Sequence, residues 1–488
     1  MIRHDNRPNI LFIMSDEHAP HFTGFHGHPL VRTPHLDRLA ACGTVFEHAY
    51  CNSPLCAPSR MSLMTGRYIH NIGAWDNSTP LPLDTITWAH LLRAAGYDVA
   101  LSGKQHFVGL DQLHGFRTQL ARDLHAERAH PTFDWSQGTL VAPHPWPGLA
   151  QAGPGQTVEI EVDDQAEAAA LAYLRDPARQ AGPWALNVSF IAPHFPLVAP
   201  PEYWEHYPPE RVDLPTLPPG HTATQHPAIR RMRRMFGMPD EVPEELTRRG
   251  RAGYYGLITY LDATIGRLLA ALDDTGQREN TIVIYTSDHG EMAGEHGMWR
   301  KSNFYEHSAR VPLVLAGPGL PAGRRIPAVV SLVDLIATIV DLGGGTPITP
   351  LDGDSLLPPL RGLAEWKDEA FAEYLAHGVA RPMAMLRRGR FKLNYYLDER
   401  PELYDLEADP GEFTDLAASP EHAPILDDLR ERLLARWNPI VLEQQVRRSQ
   451  RERLLIQAAT LGTDGHKARA RWIASGGTAQ PGSAARRE

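Results

Sequence analysis

Asn9-Ile-Leu-Phe-Ile-Met14 runs straight into Ser15-Asp16-Glu17-His18, and this passage from apolar run to polar cluster decides the fold. It recurs three times. Tyr97-Asp-Val-Ala-Leu101 enters Ser102-Gly103-Lys104-Gln105-His106, and Trp184-Ala-Leu-Asn-Val-Ser-Phe-Ile191 enters Ala192-Pro193-His194. Thr281-Ile-Val-Ile-Tyr285 enters Thr286-Ser287-Asp288-His289-Gly290-Glu291. Short β-branched and apolar runs of this kind read as strands buried on both faces. In an open α/β sheet the ligand site lies outside the carboxyl ends of the strands. Runs ending in Asp, Lys or His therefore aim those groups at one crevice.

Helical patterns lie between the runs. Thr33-Pro34, then Leu36, Leu39 and Ala40, then Gly43 is a helix with Pro near its start and Gly past its end. Leu257, Leu261, Leu268 and Leu272 share one face of a helix that stops at Gly276. Alternating strand and helix predict an α/β fold: a large, mostly parallel central sheet flanked by helices. Stretches 117–160 and 194–220, rich in Pro, Gly and His, read as long functional loops. The expected catalytic domain spans 1–365. Residues 366–440 then form a smaller C-terminal α+β domain of antiparallel strands: Met383–Leu386, Arg390–Leu393 and Glu402–Asp405. A helical arm and flexible tail occupy 441–488, with helix expected to about Gln457 and a mobile tail from Gly462.

The chain has 488 residues, 42% of them hydrophobic and 22% charged, so it carries a sizeable core. A net charge of -10 argues against a nucleic-acid binder, which needs a basic face. It leaves room for an anionic substrate, because a local cluster of Lys, Arg and metal outweighs the global charge. No window approaches the length of a membrane helix, and the start lacks the apolar core of a signal peptide. Three cysteines make no disulfide framework for a chain of this size. A cytoplasmic protein with reduced thiols is the expectation.

Cys56-Ala57-Pro58-Ser59-Arg60, followed by Thr65-Gly66-Arg67, resembles the signature of the type I, formylglycine-dependent sulfatases of the alkaline-phosphatase-like superfamily. Met64 stands where Leu is usual. The resemblance implies that a maturation enzyme oxidises Cys56 to formylglycine (3-oxoalanine), whose hydrated aldehyde is the nucleophile. Physical reading agrees with that placement. Pro58 starts a helix, so Cys56 sits at its positive end, where anions bind, and Arg60 reaches back toward a sulfate oxygen.

The same resemblance implies the rest of the site. Asp16, Glu17, Asp288, His289 and the modified Cys56 would hold a divalent metal, Ca²⁺ by family habit, with Mn²⁺ or Mg²⁺ compatible with a His ligand. Glu17 stands where relatives carry Asp or Gln. Lys104, His106, His194 and Lys301 would join Arg60 in neutralising the sulfate oxygens and the leaving oxygen. In the implied two-step reaction a hydroxyl of the hydrated aldehyde attacks sulfur. The alcohol leaves with a proton from His194 or Lys301. His106 then takes the second hydroxyl proton and sulfate departs.

Cys51–Arg60, Asp76-Asn77, Leu101–Gly109, Asp111–Phe116 and Leu403–Pro410 resemble the choline-sulfatase branch most closely. Asn77 matches an active-site Asn there. A quaternary ammonium needs aromatic faces and a carboxylate. Trp135 and Trp146 are the candidate faces, and His377 stands at the carboxylate position. These departures favour another small alkyl or aryl sulfate over choline sulfate. The alternatives are a choline-specific sulfatase, a phosphonate monoester or phosphodiester hydrolase of the same superfamily, or an unmodified binding protein. The C-terminal arm is the candidate contact of a homo-oligomer, a dimer or tetramer.

Overall fold

The computed structural model describes residues 7–126, 132–138, 148–362 and 365–474. Its centre is a nine-stranded sheet ordered β11-β2-β10-β8-β1-β6-β3-β4, with β9 paired to β2. The strands are β1 (Asn9–Asp16), β2 (Thr44–Tyr50), β3 (Asp98–Gly103), β4 (Thr118–Ala121), β6 (Trp184–Pro193), β8 (Thr281–Ser287), β9 (Arg310–Val311), β10 (Leu313–Ala316) and β11 (Arg324–Ser331). Two short segments, β5 (Gly153–Pro154) and β7 (Val198–Ala199), pair separately. The four runs that announce the fold are the adjacent parallel strands β8, β1, β6 and β3. β1, β6 and β8 are buried at every position, which explains their lack of alternation. β10 and β9 run antiparallel to their neighbours, so the sheet is mixed rather than wholly parallel.

Register brings the polar ends together. Met14 lies opposite Ser189 on one side and Thr286 on the other, and Ser15 lies opposite Ser287. The next residues are Asp16 and Asp288. A bulge after Met14 sets Asp16 opposite Pro193, one residue before His194. Gly103 lies opposite Ser189, and a Cβ on Gly103 would meet the Ser189 carbonyl at 2.2 Å. With a φ of +89° this position takes glycine, and the chain then turns so that the Lys104 N–H donates to the same carbonyl at 2.8 Å.

Helices cover both faces, among them the 31-residue helix Glu244–Asp274, ending just before Gly276. Pro34–Cys42 runs between Thr33 and Gly43 as its punctuation predicts. A second sheet, β12 (Glu369–Tyr374), β13 (Met383–Arg388), β14 (Phe391–Tyr396) and β15 (Glu402–Asp405), is antiparallel throughout. β12 packs on β11 and β2, and a buried network ties the two sheets. In it the Lys392 ammonium meets Glu306 at 2.9 Å, and the Tyr50 hydroxyl donates to Glu306 at 2.7 Å. The C-terminal stretch is two helices, Ala423–Arg436 and Pro439–Ala474, because Pro439 cannot continue the first. The second runs through Gly462 and Gly465 to Ala474, beyond the end that composition predicts. The Ala, Leu and Arg around those glycines offset their helix cost of about 1 kcal/mol each. Among the described residues no helix is long and apolar enough to cross a membrane.

Candidate active site

Cys56 is the first residue of the helix Cys56–Thr65, and all ten residues of that helix are buried. The free N–H groups of its first turn give that end a partial positive charge. One of them, on Ala57, donates to Asn77 Oδ1 at 3.0 Å, which fixes Asn77 at the helix start. Asp16, Cys56, Asp288 and His289 each bring one ligand atom into a group whose members lie within 4.8 Å of one another. The His289 Nδ1–H donates to the Gly290 carbonyl at 3.0 Å, so its Nε2 lone pair faces inward, 3.3 Å from Cys56 Sγ. Two carboxylates and an imidazole lone pair converging on one buried point are a fitting donor set for a divalent cation. Burial, reinforced by the Asp16 charge, pushes the Cys56 thiol up to about 12.

Arg60 holds the carboxylates in place. Its Nε donates to Asp288 Oδ2 at 2.8 Å, and Nη1 donates to the Lys104 carbonyl at 2.9 Å and to Ser189 Oγ at 2.8 Å. Nη2 donates to Asp16 Oδ2 at 3.0 Å. A planar fork with fixed donors suits this task, and a lysine would satisfy only part of it. The Lys104 ammonium also pairs with Asp16 Oδ2. Burial alone would raise Asp16, but Lys104, His194 and Arg60 hold it well below the usual carboxylate range. Burial raises Asp288, opposed by Arg60 and reinforced by the neighbouring Asp16.

Glu17 falls outside the group of four. Its Oε1 meets Lys301 Nζ at 2.9 Å, its Oε2 lies 3.4 Å from His194 Nε2, and it joins Asp16 and His194 in a second cluster. Burial lifts Glu17 to about 8; Lys301 opposes this and Glu291 adds to it. His194 Nδ1–H donates to the Phe195 carbonyl at 2.6 Å, leaving Nε2 as the bare nitrogen. Burial and the Lys301 charge hold His194 well below its ordinary range. Burial lowers Lys301, but Cys56, Glu17 and Asp16 raise it further, so it keeps its proton.

His106 follows β3 at a φ of +63°. Its imidazole packs 5.0 Å from that of His125, and it is the His125 Nε2 that lies 3.3 Å from Lys104 Nζ. Asp123 accepts from the Gln105 N–H at 2.8 Å and from the His106 N–H, shaping the turn after β3. Trp135 is a buried anchor whose indole N–H donates to the Ala376 carbonyl at 3.0 Å. His377 is half-buried, with its ring 4.9 Å from Phe133 and 6.1 Å from Phe236. Trp146 lies outside the described residues. Sequence reading missed His125, Asp123, Ser189 and Arg300. It also missed Asp163, which accepts from the Ile191 and Ala192 N–H groups at 2.7 and 2.8 Å and so sets the approach to His194. The only advance signal was Asp123-Leu-His125 following the short run Thr118–Ala121.

The family profile described as Sulfatase matches residues 8–345, and one described as N-sulphoglucosamine sulphohydrolase, C-terminal, matches residues 294–438. A choline-sulfatase of Rhizobium meliloti is 35% identical over 93% of this chain and 91% of its own. An arylsulfatase K of Gallus gallus is 31% identical over 88% of this chain and 82% of its own. Among solved structures, a phosphonate monoester hydrolase of Agrobacterium radiobacter superposes with a TM-score of 0.74 at 28% identity, covering 90% of this chain and 96% of that one. The match spans the strand-end residues, the helix of Cys56 and the small sheet alike, and on it the chain belongs to the sulfatase family and is a sulfuric ester hydrolase.

Proposed function

We propose that the protein hydrolyses a small alkyl or aryl sulfate ester to the alcohol and inorganic sulfate, using a formylglycine made from Cys56. The observation that carries the reading is the position of Cys56: first in a buried helix, 3.3 Å from the bare Nε2 of His289 and grouped with Asp16 and Asp288. Oxidation by a formylglycine-generating enzyme would put the hydroxyls of the hydrated aldehyde where Sγ now stands. Asp16, Asp288, His289 and the modified side chain would hold a divalent cation, Ca²⁺ in this reading, with Glu17 beside them. Such a cation supplies Lewis-acid polarisation of the ester and its nucleophile.

The chain's own groups then divide the work. Lys104 and the helix start receive the sulfate oxygens, with Arg60 fixing both carboxylates behind them. The leaving oxygen needs a proton. In this reading Lys301 gives it, which is supported by the Nδ1–H of His194 being committed to Phe195 with its Nε2 bare. Glu17 holds the ammonium, and His194 lies against the other oxygen of Glu17. On the other side His106, with His125 between it and Lys104, is the base for the second step. Asn77 holds the helix start and borders the sulfate. We also infer action in the cytoplasm, in keeping with three free cysteines, and assembly into a dimer or tetramer through the C-terminal helix.

A second reading, a phosphonate monoester or phosphodiester hydrolase, is favoured by the likeness to the Agrobacterium enzyme. One experiment separates them. Protein co-expressed with a maturation enzyme is checked by mass for the aldehyde at residue 56, then assayed on matched sulfate, phosphate and phosphonate esters. Preference for the sulfate ester is expected. A free thiol with no turnover, or preference for the phosphonate, would overturn the reading.

A further inference from the structure

Three of the site's cations, Arg60, Lys104 and Lys301, are paired with buried carboxylates. Arg300 is held differently. Its guanidinium carbon sits 3.8 Å over the centroid of Phe195 and 5.8 Å from that of Phe236. Its Nε, buried, has no hydrogen-bond partner among the described residues. Its backbone N–H is fixed to Glu291 at 2.6 Å, at a φ of +68°, so the side chain springs from a rigid turn. Stacking on rings holds a guanidinium by its faces and leaves its N–H edges to find acceptors elsewhere.

The rings place Arg300 relative to the chemistry. His194 stacks on Phe195 at 4.0 Å, and Lys301 Nζ lies 5.3 Å over the same ring. Phe236 continues to His377, and His377 to Phe133. The rings therefore link His194 and Lys301, which meet the leaving oxygen in this reading, to Arg300 and on to Phe236 and His377. An alcohol leaving toward Lys301 lies along these rings.

On this geometry, and resting on the sulfatase reading above, we infer that Arg300 selects sulfate esters whose alcohol carries a second oxyanion, such as a carboxylate. The inference goes beyond the alkyl or aryl class already proposed. A carboxylate meets the open guanidinium edge with charge-assisted hydrogen bonds. A quaternary ammonium at the same place meets a guanidinium that Glu17 and Glu291 influence but do not pair with, and gains no hydrogen bond from it.

The test uses aldehyde-bearing protein, verified by mass, and three phenyl sulfates substituted at one ring position with carboxylate, carboxamide or trimethylammonium. Ring electronics favour the ammonium as leaving group, so they oppose the expected order. In the wild type the carboxylate should exceed the carboxamide by about tenfold or more in kcat/KM, and the ammonium should be poorest. Arg300→Met should bring the carboxylate-to-carboxamide ratio near one, and Arg300→Lys should keep part of it. A ratio within one variant is independent of how much of that variant folds. Equal rates on all three esters in the wild type, preference for the ammonium, or an unchanged ratio in Arg300→Met would each overturn the inference and leave the sulfatase reading standing. No turnover of any of the three would overturn the inference, while the sulfatase reading answers separately to the matched sulfate, phosphate and phosphonate esters.

Discussion

Arg453 lies on the C-terminal helix Pro439–Ala474, far along the chain from Cys56, yet its replacement by Met is expected to disturb the active site. Its Nη1 and Nη2 donate to the two carboxylate oxygens of Asp76 at 2.8 and 2.9 Å, and Nη1 also reaches Ser78 Oγ. The side chains are 12% and 2% exposed, so the pair is nearly dry. Removing one member of such a pair strands the other charge, at about 3–5 kcal/mol. Asp76 keeps the Ser78 N–H, the Ser78 hydroxyl and the Thr79 hydroxyl as donors, so the loss belongs at the lower end, about 3 kcal/mol. The next residue is Asn77, which receives the Ala57 N–H at the start of the Cys56 helix. Loosening Asp76 should therefore lower kcat as well as stability. Burial raises Asp76, but Arg453 and the hydroxyls more than offset it and hold it below the ordinary range. A depressed carboxylate contributes stability above its unfolded value and loses it as pH falls. The gap between wild type and Arg453→Met should thus be full near pH 7 and shrink below about pH 4. Urea unfolding of Arg453→Met, Asp76→Asn and the double variant gives the cycle, with a coupling of at least about 2 kcal/mol expected because the double variant removes both charges. Additivity within about 0.5 kcal/mol, or unaltered turnover per folded Arg453→Met molecule, would refute the argument.

Cys56→Ala should fold, losing about 1–2 kcal/mol for a small cavity, while turnover drops by about 10⁴-fold or more; rates near wild type in a steady-state assay would end the formylglycine mechanism. Chelation should lower the melting temperature and readdition of Ca²⁺ should restore it. At a hundredfold excess over Kd the ion contributes about 2.7 kcal/mol, and a calorimetric trace indifferent to chelator would contradict the proposed ligand set. Burial lowers His26 to about 2 and His307 to about 4. Both bind a proton more readily when unfolded, so their contribution is full above pH 6.5 and falls away as pH drops toward those values. At pH 5 the loss is about 2 kcal/mol for each, and denaturant midpoints that stay level between pH 7 and 5 would contradict it.

How the sequence foretells this fold can be followed residue by residue. β1, β6, β3 and β8 are legible because each is buried on both faces and stops abruptly at chemistry. A strand that needs no alternation leaves a continuous apolar run, and the carboxyl end of a parallel sheet is where polar groups gather. The sequence does not reveal that these strands are neighbours, since register is written in pairings far apart in the chain. Nor does it reveal that β10 turns against them or that β12 begins the second sheet. Glu369-Ala-Phe-Ala-Glu-Tyr374 is a short strand carrying two carboxylates, and its burial comes from β11, β2 and β13 rather than from its own pattern. Cys56, Arg60, Asp16 and Asp288 are visible as motif and strand end. His125, Ser189 and Arg300 are not, because each is functional only through a partner contributed from elsewhere.

The same contrast explains why the site needs so much support. Asp16, Asp288, Glu17 and Glu291 are buried together with Arg60, Lys104 and Lys301, and buried charges are tolerated only when paired and hydrogen-bonded. Every motif residue therefore obliges others that carry no motif. Ser189 and the Lys104 carbonyl fill the fork of Arg60, Gly290 fixes the tautomer of His289, and Phe195 does the same for His194. These obligations are met by backbone carbonyls and small side chains, which a linear reading cannot tell from ordinary structure. Arg300 meets the rule only in part: Phe195 and Phe236 hold its guanidinium, and Glu17 and Glu291 act on it without forming an ion pair. A buried site that pairs its other cations and leaves this one edge open has reserved it for something that arrives from outside, and the partner a guanidinium edge fits best is an oxyanion.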